Sequence, residues 1–218
     1  MKLERNNTET LNKILSTAGE LFSIHGYHTV SLRQLTQRAG VNLAAVNYHF
    51  GDKRTLYHAI LARHIQPINE VRLKRLADAE RQSGDLPVPL EVILDILLRP
   101  LFELCSDTAS GGFHVAILVG RSMAEPVVVT DEKLAGELQP IPARFSQALR
   151  RHVSNLPPDE YMWRLNFMVG GLHHTLSTLH RMKDLTRGIC RDHDHEGALR
   201  RFIQFSAVTL TAPAGPKP

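Results

Sequence analysis

The chain has 218 residues, 43% apolar and 22% charged, a balance that suits a folded chain of one large domain or a small domain beside a larger one. No window of about 18 residues is apolar and free of charge, which argues against a helical membrane span, and the polar start Met1-Lys2-Leu3-Glu4-Arg5-Asn6-Asn7 lacks the apolar core of a signal peptide, so a cytoplasmic location is expected. The net charge of +4 is uneven: residues 1–81 hold 12 Lys and Arg against 7 Asp and Glu, and residues 82–218 hold 14 against 15, so the basic excess lies in the first third, where it fits either a polyanion such as DNA or a solvated basic surface.

Almost every segment reads as helix, so an all-α fold is expected. Leu11, Ile14, Leu15, Ala18, Leu21 and Phe22 recur at helical spacing and predict a first helix from about Thr8 to Ile24, ended by His25-Gly26. Ser31 can cap a second helix over Leu32 to Ala39. Gly40 breaks the chain, Asn42 can cap a short third helix from Leu43 to His49, and a fourth starts near Asp52-Lys53 and runs to about Arg81. Pro67 lies inside that fourth helix and should kink or break it, as a hinge or as a static bend.

The segment Gln82 to Pro89, rich in Gly, Pro and polar residues, opens the second half. Further helices are expected at about 88–105, 112–123, 131–154, 159–182 and 196–211, with a short Val-rich alternation over Pro126 to Thr130. The domain plan is therefore a helix-turn-helix unit over 1–55, a long connecting helix over 56–82, a second helical domain over 83–212, and a disordered tail over 213–218.

The second and third helices, joined by Gly40-Val41-Asn42, have the length and chemistry of a helix-turn-helix. Val41, Val46 and Phe50 can pack on the first helix and leave the other face of the third helix open. The stretch Ile14 to Ile60 resembles the DNA-binding domain of the TetR family of regulators. The match is carried by Ala18-x-x-Leu21-Phe22, Gly26-Tyr27, Ser31-Leu32-x-x-Leu35, Ala39-Gly40-Val41 and Tyr48-His49-Phe50-x-x-Lys53-x-x-Leu56. The chain departs from that pattern at Asn47, where the family often has an aromatic, and at Asn42, where it often has Ser or Thr.

A recognition helix must carry short or polar side chains to approach the major groove. Leu43, Ala44 and Ala45 can touch thymine methyls, and Asn47 can read an adenine edge. Ser31, Asn42 and Lys53 stand at helix N-termini, where Ser31 and Lys53 favour a phosphate. Tyr48 and His49 either donate to phosphates or pack within the three-helix unit. The resemblance implies these same positions. It also implies a homodimer reading a palindromic operator in double-stranded DNA, a repressor released by a small molecule, and residues 83–212 as the effector-binding and dimerisation domain. An activator, or a regulator that needs no ligand, is the alternative.

In the second half, the helix from Asp159 to Met182 is apolar on two faces. One face carries Trp163, Phe167, Gly170, Gly171 and His174, and the other Leu165, Met168, Val169, Leu172, Leu176 and Leu179. Paired with the last helix, which carries Leu199, Phe202, Ile203, Val208 and Leu210, it can build a four-helix dimer interface or a single-chain core. Phe102, Phe113, Ile117, Met123, Trp163, Phe167 and His174 are the candidate effector-lining residues, with core packing as the alternative for each aromatic and aliphatic one. The segments Val41 to Phe50 and Tyr161 to Gly170 are similar to a subgroup that includes fatty-acid-responsive regulators, which implies an apolar, acyl-like effector.

No cofactor, metal or catalytic set is expected. Cys105 and Cys190 form no C-x-x-C, the run Cys190 to Glu196 reads as a solvated loop, and His173, His174 and His180 lack the i, i+4 spacing of a zinc pair. Ser106, Asp107 and His114 lie near one another without a nucleophile elbow or oxyanion loop.

Overall fold

The computed structural model describes residues 2–107, 109–122, 140–192 and 194–214, and among them the regular structure is all helical. The helices are α1 (Lys2–His25), α2 (Leu32–Ala39), α3 (Leu43–Phe50), α4 (Lys53–Ser83), α5 (Leu90–Ser106), α6 (Gly112–Ser122), α7 (Pro140–Arg150), α8 (Pro158–Thr178), α9 (Met182–Leu185) and α10 (His195–Thr211), with a 3-10 turn at Leu179–Arg181. Met123, His193, the expected helical start at 131–139, the alternation at 126–130 and the tail from residue 215 lie outside the described residues.

Three helices differ from the sequence expectation for identifiable reasons. α1 begins at Lys2 rather than Thr8, because the apolar stripe marks where packing begins and not where good helix formers begin. α4 runs unbroken through Pro67. Buried residues hold it on both sides of the proline, Leu61 and Ile65 before it and Leu76 after it. The helix expected over 159–182 instead ends at Thr178, followed by the 3-10 turn and α9. There the hydroxyls of Ser177 and Thr178 donate to the His174 carbonyl oxygen at 2.9 and 2.7 Å and compete for the acceptor that the next turn needs.

The apolar residues sort into two cores. The first gathers Ile14, Ala18 and Phe22 of α1, Leu35 of α2, Val46 and Phe50 of α3, and Leu56, Tyr57, Ile60 and Leu61 of α4. The rings of Phe22 and Tyr57 meet edge to face at 5.5 Å. Each such side chain contributes about 1.5–3 kcal/mol by leaving water. The second core joins Leu76 of α4, Leu94, Leu98 and Phe102 of α5, Phe145 and Leu149 of α7, Met168, Leu172 and Leu176 of α8, and Leu199, Phe202 and Leu210 of α10. A domain boundary at residue 55 would divide the first core, which takes the N-terminal half of α4.

α6 belongs to both cores. Its Val115 and Leu118 complete the first, and its Ala116 lies in the second. Two polar contacts tie it to α1: the Ser23 hydroxyl and His114 Nδ1 are 2.7 Å apart, and Arg121 donates to the Ser23 carbonyl oxygen at 2.8 Å. On its other side Gly120 lets α6 lie directly on α8, since a Cβ there would stand 2.6 Å from the His173 carbonyl oxygen and 2.6 Å from the Ser177 nitrogen. Both neighbours are backbone and cannot rotate away. Gly120→Ala should therefore lower stability by about 1–3 kcal/mol, read as a fall in thermal midpoint of about 2–4 °C per kcal/mol. A midpoint equal to wild type would refute the close approach.

Candidate nucleic-acid interface

Local chemistry builds the α2–turn–α3 unit. Ser31 opens α2 with a capping box, its hydroxyl accepting from the Gln34 N–H at 3.2 Å while its own N–H donates to Gln34 Oε1 at 2.9 Å. Gly40 ends α2 at φ 66°, a left-handed angle that a side chain resists, and the Val41 N–H returns to the Thr36 carbonyl oxygen at 3.1 Å. Asn42 then caps α3 by accepting from the Ala45 N–H at 2.7 Å. Asp52 caps α4 through the Thr55 N–H at 2.7 Å, a cap that the sequence reading placed only as a helix start.

The caps set the rotation of α3. Val46 and Phe50, one turn apart, are buried in the first core. The opposite side presents Leu43, Ala44, Asn47 and Tyr48 to solvent, with Ala45 and His49 half-buried. Tyr48 is 79% exposed, which removes the packing alternative for that side chain. His49 is intermediate, its ring 5.2 Å from that of Tyr48 and 6.0 Å from that of Phe50. The Lys53 ammonium sits 4.4 Å over the Tyr27 ring, a cation–π contact that holds the cation beside the start of α4. Tyr27 counted only as a signature position in the sequence, and its role as a platform needed the fold. Arg33 of α2 and Arg54 of α4 are exposed cations near the same unit that the sequence reading passed over.

The expected effector residues do not converge. Phe102 is core, its ring 6.2 Å from that of Phe202, and Ile117 is also buried. Phe113 is half-buried, 5.4 Å from the His180 ring. Trp163, Phe167 and His174 face outward in the single chain, apart from the buried Phe102 and Ile117. α8 turns Tyr161, Arg164, Met168, Leu172 and Leu176 inward, and helical spacing sends the other three to the far side. Two described clefts, of about 660 Å³ beside Met182, Asp192 and Arg201 and of about 320 Å³ beside Glu91, Arg200 and Ile203, are lined by none of the six described candidates. In the loop from Cys190 to Glu196, Asp192 accepts from the Lys183 N–H at 2.7 Å, and Asp194 accepts from the Gly197 N–H at 3.0 Å and pairs with Arg201 at 3.1 Å.

An all-helical chain that caps, rotates and exposes a short helix after a glycine turn is built as a helix-turn-helix transcription regulator. Comparison with known proteins gives the family. Residues 14–60 match the bacterial regulatory proteins of the tetR family, and residues 95–207 match the tetracyclin repressor-like C-terminal domain. The chain belongs to the TetR family of transcription regulators. It is 37% identical over 129 residues to the transcriptional activator FasR of Mycolicibacterium smegmatis, which covers 59% of this chain and 54% of that protein. It is 32% identical over 105 residues to the transcriptional repressor AcnR of Corynebacterium glutamicum, covering 44% and 55%. The chain thus spans about half the length of these curated relatives. Its fold is similar to the crystal structure of NalD, the secondary repressor of the MexAB-OprM multidrug efflux pump in Pseudomonas aeruginosa, with a TM-score of 0.55 at 20% identity over 96% of this chain and 100% of that one.

The Asp52 cap carries a pH signature. The Thr55 N–H, then the Thr55 hydroxyl, and less strongly Arg54 hold its carboxyl below the ordinary range. A carboxylate lowered in the folded state stabilises above its unfolded pKa, and that stabilisation is lost as pH falls through the folded value. Asp52→Ala should lower stability by about 1 kcal/mol at neutral pH. The gap from wild type should narrow below about pH 4. Chemical denaturation of both proteins from neutral to acid pH checks this, and a gap that stays constant would count against the cap.

Proposed function

We propose that the chain is a ligand-responsive repressor that binds a palindromic operator as a dimer and is released by a small, largely apolar effector. The exposed surface of α3 carries this reading. A solvent-facing helix of Leu43, Ala44, Asn47 and Tyr48 fits a major groove better than a solvated exterior, where Leu43 and Tyr48 would gain nothing from exposure. In this reading Leu43, Ala44 and Ala45 touch bases, Asn47 reads an adenine edge, and Tyr48 and His49 meet phosphates. Ser31 and Lys53 hold the flanking backbone, and Asn42 sets the helix start. The Ser31 hydroxyl also donates to Gln34 Oε1 at 2.9 Å, so a phosphate there is met first by backbone N–H groups.

Purified protein should shift operator-containing duplex selected from genomic fragments, with affinity falling steeply as salt rises. Asn47→Ala should reduce affinity by about 1–3 kcal/mol and relax sequence preference at one position per half-site. Lys53→Ala should weaken all sequences alike and reduce the salt slope by about 0.9. Failure to retain any duplex at low ionic strength would remove the regulator reading.

Dimerisation is supported by an unpartnered apolar face. Trp163 and Phe167 of α8 stack at 5.7 Å while 59% and 58% exposed, and Phe205 and Val208 of α10 are exposed as well. Paired from two copies, these helices bury that surface in a four-helix bundle and set two recognition helices about one DNA turn apart. Phe167→Glu should convert a dimer to a monomer in size-exclusion chromatography with light scattering, and should weaken operator binding in parallel. A variant that remains dimeric would argue for a different interface. The effector signal is assigned to α6, whose contacts reach both cores. Activation rather than repression is the second reading, favoured by the match to FasR, which is named an activator.

A further inference from the structure

Two guanidinium groups are buried among the described residues, Arg72 of α4 and Arg164 of α8, and the fold treats them oppositely. Arg164 is 6% exposed and fully engaged. Its Nε donates to Glu160 at 2.8 Å, and its terminal nitrogens donate to the carbonyl oxygens of Thr209, Leu210, Ala212 and Pro213 at the end of α10. Arg72 is 5% exposed and has almost nothing. Its one hydrogen bond among the described residues runs from Nη1 to the neutral amide oxygen of Asn69 at 3.0 Å, and its Nε has no partner. No carboxylate among the described residues pairs with it.

Its place in α4 makes the isolation sharper. Ile65, Ile68, Arg72, Leu76 and Ala79 follow one another at helical spacing, and the four apolar members all belong to or pack on the second core. A cation thus interrupts an otherwise apolar stripe. Burial alone pushes its basicity down to about 10. An unpaired buried charge of this kind is strongly unfavourable, and fold stability gives no reason to keep it.

We infer that Arg72 is the receptor for the acidic head of the effector, which is an amphipathic anion: a carboxylate carried on an apolar body that lies along Ile65, Ile68 and Leu76. This rests on the reading of the second core as the effector domain and specifies what that domain recognises. A guanidinium offers two parallel donors to a carboxylate, and the low-dielectric surroundings strengthen that pair. Because the group is covered, entry requires the helices around α4 to part. Arg72 lies about 22 Å along the same helix from Tyr57 of the first core, so an anion drawn onto it acts directly on the helix whose first turns follow α3 and pack in the first core.

Two measurements on the full chain decide the matter. In the ligand-free protein, Arg72→Met should raise the thermal midpoint by about 2 °C or more, because it removes an uncompensated charge. A lowered midpoint would mean that the guanidinium already has a partner within the chain, and would overturn the inference. In calorimetric titrations with hexanoate, dodecanoate and hexadecanoate beside the matching alcohols, at least one acid should bind wild type about tenfold or more tightly than its alcohol. Arg72→Met should abolish that preference, and Arg72→Lys should keep part of it. Equal binding of acid and alcohol, no binding of any acid, or a preference that survives in Arg72→Met would overturn the assignment. Operator retention by the same protein separates the two levels: DNA binding without acid preference removes only the role of Arg72, whereas absence of DNA binding removes the regulator reading itself.

Discussion

The shared position of α6 is the constraint on which the rest of the molecule depends. An eleven-residue helix supplies Val115 and Leu118 to one core and Ala116 to the other, so neither core closes without it. It has little freedom to adjust. Gly120 brings it to backbone contact with α8, and Ser23 grips it from α1 through His114 and Arg121. Close-packed helices held this way shift as bodies rather than deform. A displacement of α8 is therefore passed to α1 instead of being absorbed between them.

The helix-turn-helix was legible in the sequence because its determinants are local. Ser31, Gly40 and Asn42 each act within four residues, through caps and a left-handed turn, and they appear where their chemistry predicts. The stripe of α1 and the inward positions Val46 and Phe50 follow from periodicity alone. The departures have equally physical sources. Pro67 signals a break, yet packing on both sides holds α4 continuous. Ser177 and Thr178 end α8 early by hydroxyl bonds that leave no trace in an apolar pattern.

The rotation of α8 was not legible in the sequence. Two apolar faces on α8 were recognised from sequence, but which one turns inward depends on its neighbours α6 and α10. The inward set is Tyr161, Arg164, Met168, Leu172 and Leu176. Trp163, Phe167 and His174 were drawn into an expected pocket by their size and chemistry, and they lie on the other side. Arg72 was missed for the complementary reason. A lone arginine in a charged helix reads as surface, and only its burial separates it from Arg75 and Arg81 on the same helix, which are exposed.

The sharing of Val115 and Leu118 also bears on how such proteins can be recombined. A helix-turn-helix unit cut at the end of α4 would leave a gap in the first core where those two side chains belong. The natural seam for grafting this reading unit onto another sensor is thus not the linker after Ser83 but a discontinuous one that carries α6 along with the first four helices. Modularity in this chain follows the packing rather than the order of residues.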